Sequence, residues 1–314
     1  MTIPSLSDIK RAHTRISKFI YDTPVVTSHS VDEMCGAQIF FKCENLQKTG
    51  SFKMRGATNT ILSIRPEERQ NGIATHSSGN HAQAVANAAN AAGNKAYIVI
   101  PKNAAKVKID AVKGYGGEVI LCEPNEKARI QACSEIIEKT GAVFVPPFDH
   151  PHIIAGQATA AKELLEETPD LDSVLTPVGG GGLSAGTALS VKYIIPNTQV
   201  ILAEPAKADD AYKSFNAGKL IPVKDPNTIA DGLKTSLGKL NFEIIKENVS
   251  DVVTVSEKQI VDAMRIIWER MKIIVEPSSA VPLAAVLKDK KRFKGQKVGI
   301  ILTGGNVDLS NLPF

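Results

Sequence analysis

Hydrophobic residues occur with two different spacings along the chain. In residues 7–20 the apolar side chains fall three or four positions apart, which predicts an amphipathic helix with Ser7 as its N-cap. Residues 38–42 form a short run rich in β-forming side chains, which predicts a strand. The N-terminal region therefore contributes both kinds of element.

From residue 72 onward, short β-rich runs alternate with helix-length stretches. Such alternation is typical of βαβ units and of a parallel sheet. The predicted strands cover residues 72–75, 96–100, 118–121, 142–145, 173–178, 199–203, 251–255 and 298–302. The pattern predicts an α/β protein with two domains, each with a mostly parallel twisted sheet flanked by helices.

A double proline, Pro146-Pro147, divides this alternation into two sets and marks a plausible crossing between domains. We expect a large domain from residues 1–65 and 150–314 and a small domain from residues 66–149, with a substrate cleft between them. Ligands in such folds bind at the carboxyl ends of the strands. The turns that follow the strands are therefore where we look for chemistry.

Composition narrows the function classes. The 314 residues carry a net charge of +4, which gives no electrostatic reason to expect nucleic acid or a membrane surface as a partner. No apolar stretch is long enough to span a bilayer, and no signal peptide is expected. The four cysteines show no CxxC spacing, so we expect free thiols and a cytoplasmic protein.

The segment Thr49 to Ala57 places a lysine, Lys53, in the first turn of a predicted helix with Ser51 as N-cap. The helix dipole and partial burial both disfavour the charged form of an amine there. A neutral amine is a nucleophile that forms a Schiff base with an aldehyde. From this segment alone an ordinary surface lysine is the simpler interpretation.

Four consecutive glycines follow the strand predicted at 173–178. Without Cβ atoms, Gly179, Gly180, Gly181 and Gly182 let backbone N–H groups surround an anion at a helix N-terminus, and a phosphate is the expected guest. Spacing alone leaves a second interpretation open. Gly180-x-Gly182-x-x-Ala185, followed by Glu204 at the end of the next strand, also fits a loose dinucleotide fingerprint, and hence an NAD(P)-binding oxidoreductase.

Two further polar turns follow predicted strands. The turn Ser77-Ser78-Gly79-Asn80-His81 offers hydroxyl groups and free N–H groups at a helix start, which suits a substrate carboxylate. The turn Thr303-Gly304-Gly305-Asn306 ends the last strand. Plain helix capping is the alternative for the first turn, and it needs only one serine.

Taken in order, these segments resemble a known family. Ser-Phe-Lys-Met-Arg-Gly-Ala, Ser-Ser-Gly-Asn-His-Ala-Gln-Ala, Gly-Gly-Gly-Gly-Leu and Thr-Gly-Gly-Asn are similar to the motifs of fold-type II pyridoxal-phosphate (PLP) enzymes, the tryptophan synthase β-like class. The likeness is closest to the serine racemase and serine/threonine dehydratase family and extends over nearly the whole chain. Four ordered motifs are more specific than the dinucleotide fingerprint and favour PLP over NAD.

The resemblance implies a role for each motif. Lys53 would hold PLP as a Schiff base with Phe52 beside the ring, and Asn80 would bond the phenolic oxygen. Gly179 to Gly182 would cradle the phosphate, and Thr303 would lie near the pyridine nitrogen, where most relatives carry Ser. Ser77, Ser78, Gly79, Asn80 and His81 would bind the substrate carboxylate.

The resemblance also implies the chemistry. Lys53 would act as the base on one face of the substrate Cα and Ser78 on the other, which gives a serine racemase. Loss of the β-hydroxyl would instead give pyruvate and ammonia. The alternatives are a threonine or 3-hydroxyaspartate dehydratase (ammonia-lyase) with little racemisation, and a cofactor-binding protein without catalysis.

Three further expectations come from the same resemblance. Glu204, the carbonyl of Ala208 and Asp210 match a structural site for Mg²⁺ or Ca²⁺. A nucleotide activator, ATP, would bind near the dimer interface, although His29-Ser30 departs from the pair expected there. The residues that match the nucleotide site are Lys48, Thr49, Gln83, Tyr115 and Asn306. Relatives are dimers, so we expect a homodimer.

Overall fold

The computed structural model describes residues 2–314 and contains two β-sheets. The strands, numbered in chain order, are β1 Val25–Val26, β2 Gln38–Cys43, β3 Ile73–His76, β4 Ala96–Pro101, β5 Gly117–Cys122, β6 Val143–Phe144, β7 Ser173–Pro177, β8 Gln199–Pro205, β9 Asp251–Val255 and β10 Lys297–Leu302. The larger sheet has the order β1-β2-β10-β7-β8-β9, and only its edge strand β1 is antiparallel. The smaller sheet, β5-β4-β3-β6, is parallel throughout.

Helices connect the strands and cover both sheets. They are α1 Leu6–Ile16, α2 His29–Cys35, α3 Lys53–Ser63, α4 Pro66–Arg69, α5 Asn80–Ala91, α6 Lys106–Gly114, α7 Glu126–Thr140, α8 Pro151–Glu167, α9 Gly182–Ile194, α10 Asp210–Ala217, α11 Lys239–Asn248, α12 Glu257–Ile266, α13 Pro277–Lys288 and α14 Lys290–Phe293. The two parallel sheets with flanking helices confirm the predicted fold class. No helix within residues 2–314 is both long and apolar enough to cross a membrane.

The larger sheet joins strands that are far apart in sequence. Strand β10 lies between β2 and β7, so the N-terminal strands pair with the last strand of the chain. Both faces of this sheet are packed with buried apolar side chains. The smaller sheet takes all its strands from residues 73–144. The predicted boundaries at residues 65/66 and 149/150 stay a prediction.

Helix α1 differs from the prediction at both ends. Its N-cap is Ser5, because the Ser5 side chain accepts from the Asp8 backbone N–H while the Asp8 carboxylate accepts from Ser5 N. Its last residue is Ile16 rather than residue 20. The predicted cap at Ser7 is therefore wrong, since the reciprocal capping box starts two residues earlier.

Candidate active site

A cavity of about 900 Å³ lies between the two sheets, at the carboxyl ends of their strands. It brings together residues from all three polar turns and from the start of α3. Its lining includes the following residues predicted from the sequence: Phe52, Lys53, Ser77, Ser78, Gly79, Asn80, His81, Gly179, Gly180, Gly181, Gly182, Thr303 and Asn306. The interpretation of Lys53 as an ordinary surface lysine is therefore wrong.

Lys53 opens helix α3 at the floor of this cavity. Its Nζ donates to the backbone carbonyl of Pro147 at 2.7 Å and lies 5.2 Å from the centre of the Phe52 ring. Burial lowers the pKa of the Lys53 amine to about 8, and the opposing charge of Glu276 limits this shift. A larger fraction of the amine is therefore neutral near pH 7 than for an exposed lysine.

The larger sheet anchors the backbone just before Lys53. Ser51 pairs with Gly304 in an isolated antiparallel bridge, and Phe52 N donates to the carbonyl of Thr303 at 3.0 Å. Helix α3 starts after Phe52, and the Ser51 hydroxyl is buried without a hydrogen-bond partner among residues 2–314. The predicted Ser51 N-cap is thus wrong, because the cap position falls on Phe52 and the Ser51 hydroxyl accepts from no backbone N–H.

The four glycines form a tight turn between β7 and α9. A Cβ on Gly180 would lie 2.4 Å from the Phe148 ring, and Gly181 has φ +89°, a conformation that favours glycine. The Gly180 carbonyl accepts from Asn241 Nδ2 at 2.7 Å and from Gly238 N at 3.1 Å. Within residues 2–314, the N–H groups of Gly179 to Gly181 donate to no protein acceptor. They are available for an anion at the N-terminus of α9.

The turn from Ser77 to His81 links β3 to α5. Gly79 N donates to the Ser77 hydroxyl at 3.3 Å, while the half-buried Ser78 hydroxyl has no hydrogen-bond partner within residues 2–314. His81 is buried, and its Nε2 lies 3.1 Å from the Val145 carbonyl. Burial, together with the charge of Lys53, lowers the His81 pKa to about 3, so its ring is neutral at physiological pH.

Sequence reasoning did not single out Glu276 as a site residue. Glu276 is 4% exposed, lines the cavity and accepts from Asn80 Nδ2 at 2.9 Å and 3.1 Å through its two oxygens. Asn306 Nδ2 donates to Asn80 Oδ1 at 2.8 Å and to the Thr49 carbonyl at 2.8 Å. The only sequence signal for Glu276 is its place in the stretch Glu276-Pro277, just before the apolar helix α13.

Ser279 is a second residue that sequence reasoning missed. Its hydroxyl lies 3.1 Å from the Thr303 hydroxyl and accepts from Gly304 N at 2.8 Å. Both hydroxyl groups are buried, and Thr303 lines the cavity. The Thr303 hydroxyl after β10 and the Ser279 hydroxyl of α13 therefore form a neutral hydroxyl pair.

A family model described as "Pyridoxal-phosphate dependent enzyme" matches residues 16–304. The chain belongs to this family. It is 51% identical to a serine racemase of Dictyostelium discoideum, over 99% of this chain and 98% of the relative. It is 47% identical to a β-hydroxyaspartate dehydratase of Paracoccus denitrificans, over the full length of both. The crystal structure of the Dictyostelium serine racemase superposes with a TM-score of 0.93, at 50% identity, over 97% of this chain and 99% of that structure.

The residues of the cavity fit pyridoxal phosphate. A buried amine of lowered pKa suits its aldehyde, and the unpartnered N–H groups after β7 suit its phosphate. The Thr303 and Ser279 hydroxyls offer a neutral environment for a ring nitrogen. The family match and this fit support pyridoxal phosphate over the dinucleotide alternative.

The residues predicted to hold a cation lie apart from the cavity, at the end of β8. Glu204 accepts from Ala211 N at 3.0 Å and Tyr212 N at 2.9 Å, and Asp210 accepts from Leu237 N at 2.9 Å. These carboxyls and Ala208 are buried, and Asp210 Oδ1 has no hydrogen-bond partner within residues 2–314.

The residues predicted to bind a nucleotide are only partly brought together. Asn306 donates to the Thr49 carbonyl, and Gln83 is buried one turn after Asn80 in α5. Lys48 lies over the ring of Tyr21 at 5.3 Å. Tyr115, at the end of α6, packs against the core of the smaller sheet.

Proposed function

We propose that this chain is a serine racemase that also converts serine to pyruvate and ammonia. The observation that carries the proposal is that the Lys53 amine and the Ser78 hydroxyl share one cavity but come from elements on its two sides. Lys53 starts α3 beside the larger sheet, and Ser78 follows β3 of the smaller sheet. Two proton-transfer groups on opposite sides of a Cα are what inversion of configuration requires.

Bound pyridoxal phosphate supplies an electron-withdrawing group that acidifies the substrate Cα–H bond. The turn Ser77 to Asn80 holds the substrate carboxylate through its hydroxyl and N–H groups. The neutral Lys53 amine takes the Cα proton from one face. The Ser78 hydroxyl gives a proton to the other face, which yields the opposite enantiomer. The proton gained by Lys53 and the proton lost by Ser78 then exchange with solvent, which restores both groups.

The elimination reaction uses the same first step. After Lys53 has taken the Cα proton, the β-hydroxyl takes up that proton and leaves as water, and hydrolysis of the product releases pyruvate and ammonia. The neutral Thr303 and Ser279 hydroxyls do not protonate a pyridine nitrogen, so the electron sink stays weak. A short-lived carbanion is compatible with both outcomes, and Ser78 decides how often a proton returns before the hydroxyl is lost.

One observation favours a dicarboxylic substrate, 3-hydroxyaspartate, as a second candidate. Arg129 lines the cavity, and within residues 2–314 its side chain forms neither an ion pair nor a hydrogen bond, while its backbone N–H donates to the Asn125 carbonyl. Its charge also contributes to lowering the pKa of His76, mainly lowered by burial. A free guanidinium on the cavity wall suits a second substrate carboxylate.

Chiral product analysis tests the proposed function. Purified protein with pyridoxal phosphate and Mg²⁺ is incubated with L-serine, and D-serine and pyruvate are quantified in parallel. D-serine that is lost in Ser78→Ala while pyruvate persists supports the racemase, and Lys53→Ala makes neither product. Pyruvate without D-serine would reduce the function to a dehydratase.

A parallel assay with 3-hydroxyaspartate tests whether this dicarboxylic amino acid, rather than serine, is the substrate. If Arg129 binds a second carboxylate, Arg129→Met raises the KM for 3-hydroxyaspartate and leaves that for serine unchanged. Arg65→Met, which alters an exposed arginine of α4's N-terminus, is the matched control. Equal effects of Arg129→Met on both substrates would remove this candidate.

We further propose that Glu204, the Ala208 carbonyl and Asp210 hold Mg²⁺ or Ca²⁺. Two buried carboxyls and a carbonyl are hard oxygen donors, and a cation would satisfy the unpartnered Asp210 Oδ1. The cation would act structurally, because these residues do not line the cavity.

The remaining proposals rest on the family resemblance. They are ATP activation through Lys48, Thr49, Gln83, Tyr115 and Asn306, a homodimer, and a cytoplasmic location. Light scattering after size-exclusion chromatography tests the dimer. Titration of ATP against elimination activity tests the activator, and a flat titration would refute it.

A further inference from the structure

The amide of Asn80 has one permitted orientation. Both N–H groups of Asn306 are used, since its Nδ2 donates to the Thr49 carbonyl and to Asn80 Oδ1, each at 2.8 Å. A flipped Asn80 would oppose its NH₂ to that of Asn306 and its carbonyl to the carboxyl of Glu276. Asn80 Nδ2 therefore faces Glu276.

The backbone brings the Glu276 carboxyl to this amide. Glu276 N donates to the Gly304 carbonyl at 3.0 Å, which ties the residue before α13 to the end of β10. A Cβ on Gly304 would lie 2.9 Å from Glu276 Oε1 and 3.2 Å from Asn80 Nδ2. Glycine at 304 thus leaves the space in which the carboxyl and the amide meet.

We propose that Glu276 is a positioning residue, which fixes Asn80 for the cofactor and places a carboxyl group in the same cavity as the Lys53 amine. One N–H of Asn80 shared between the two Glu276 oxygens leaves its second N–H free for an acceptor in the cavity. This inference rests on the proposed role of Asn80 beside the phenolic oxygen of pyridoxal phosphate.

The charges around Glu276 decide its protonation. Burial raises the Glu276 pKa to about 7, repulsion from Asp231 adds to this, and the hydrogen bond from Asn80 and the charge of Lys108 oppose it. The Asn306 backbone acts in the same direction as Asn80. In return, the Glu276 charge raises the pKa of Lys53 against its burial. The charge of Glu276 therefore influences the protonation of Lys53.

The test is a spectroscopic pH titration of the holoenzyme, with activity measured separately. The visible absorbance of bound pyridoxal phosphate follows the protonation of the nitrogen that joins it to Lys53. Glu276→Gln keeps an acceptor for Asn80 and removes the negative charge, so the protonated form of that nitrogen is less stabilised. We expect the midpoint to fall by at least about half a pH unit. Glu269→Gln, an exposed glutamate on the turn after α12, should leave it unchanged.

A second variant separates position from charge. Asn306→Ala releases the Asn80 amide and removes no charge, so we expect weaker cofactor affinity, measured by fluorescence titration, with a midpoint close to wild type. Wild-type midpoints in Glu276→Gln would overturn the charge assignment. The positioning assignment would be overturned by wild-type cofactor affinity in Asn306→Ala. If Glu276→Gln folds but its absorbance does not change with pH, its cofactor affinity is measured instead, and a wild-type value would also overturn that assignment. A wild-type protein without a visible band would instead refute the proposed function itself.

Discussion

Lys108 of α6 and Asp231 of the turn before α11 form an ion pair of 2.5 Å across the mouth of the cavity. Lys108 belongs to the segment that carries the smaller sheet, and Asp231 to the segment that carries β8 and β9 of the larger one. The pair therefore joins the two sides of the cleft through side chains alone.

Breaking this pair should weaken substrate binding more than turnover. Because both partners are partly exposed, its contribution is modest, and we expect Lys108→Ala to raise the KM for serine about twofold to fivefold. Steady-state kinetics of both products measure the effect. Lys102→Ala, which breaks the Lys102–Glu123 pair within the smaller-sheet segment, is the matched control and should leave KM unchanged. An equal change in KM in both variants would show that the Lys108–Asp231 pair has no specific role in substrate binding.

The rate of cofactor incorporation should depend on the protonation of Lys53. Attack on an aldehyde needs the neutral amine, and the pKa of that amine is lowered from 10.5 to about 8. The rate at which cofactor-free protein gains visible absorbance should therefore rise with pH, reach half its maximum near pH 8 and level off above it. Stopped-flow absorbance between pH 6 and 10 measures this. A rate that still rises steeply between pH 9 and 10 would mean that Lys53 titrates as an exposed lysine.

The second central glycine of the phosphate turn should not tolerate a side chain. A Cβ on Gly181 would lie 2.5 Å from Leu237 Cδ1, in addition to the strain of its positive φ. We expect Gly181→Ala to weaken pyridoxal phosphate binding by about tenfold or more, a cost of about 1.4 kcal/mol. Gly218→Ala carries similar strain, φ +66°, but meets no atom within 4 Å and should bind normally. Fluorescence titration compares the two.

A buried ion-pair network beside Lys53 should dominate the response of stability to mutation. Arg55 donates to both carboxylate oxygens of Glu44 and of Glu163, and Lys42 adds a contact of 2.9 Å to Glu163. Removing Arg55 leaves two buried carboxylates with only Lys42 to balance them. Arg55→Met should therefore lower the free energy of unfolding by about 3–5 kcal/mol.

Urea unfolding followed by circular dichroism measures this loss. Arg65→Met removes an arginine that pairs with Glu68 on the surface, where the pair contributes at most about 1 kcal/mol. If Arg55→Met lowers the free energy of unfolding as little as Arg65→Met does, other groups or water must stabilise the two carboxylates in the absence of Arg55.

Divalent cations should raise the thermal unfolding temperature through Glu204 and Asp210. Asp210→Ala should abolish the increase produced by Mg²⁺ or Ca²⁺ after treatment with a chelator, because it removes one of two carboxylate ligands. Asp209→Ala changes the neighbouring residue, whose carboxylate pairs with Lys213, and should keep the increase. A Mg²⁺ effect that survives in Asp210→Ala would place the cation elsewhere.

Local chemistry explains which site residues could be predicted from the sequence. The possible ligands are limited by four consecutive glycines at a strand end and by a lysine at a helix start. Lys53 and Gly179 to Gly182 could therefore be singled out. Glu276 and Ser279 could not, since their partners Asn80 and Thr303 lie far away in sequence. The Pro147 carbonyl, which accepts from Lys53, carries no signal at all because every residue has a carbonyl.

The differences between prediction and structure have more than one origin. Ser51 has the residue type of an N-cap, but its bridge to Gly304 decides its conformation. Ser5 and Ser7 are both competent caps, and only Asp8 three residues after Ser5 completes the box. From the sequence, Arg55 is one more charged residue of a predicted helix, because its partners Glu44 and Glu163 lie 11 and 108 positions away. Long-range pairing therefore explains Ser51 and Arg55, whereas a local capping box explains the start of α1.

The placement of the cavity between two sheets has an evolutionary consequence. Lys53 and the glycine turn belong to the larger sheet, whereas Ser77 and Ser78 extend from β3 of the smaller one. Mutations at Ser77 and Ser78 can therefore alter which amino acid is accepted while Lys53, the glycine turn and Asn80, which are proposed to hold the cofactor, stay unchanged. Such modular inheritance would let one ancestral scaffold diversify into enzymes of different substrate preference while retaining a common prosthetic group.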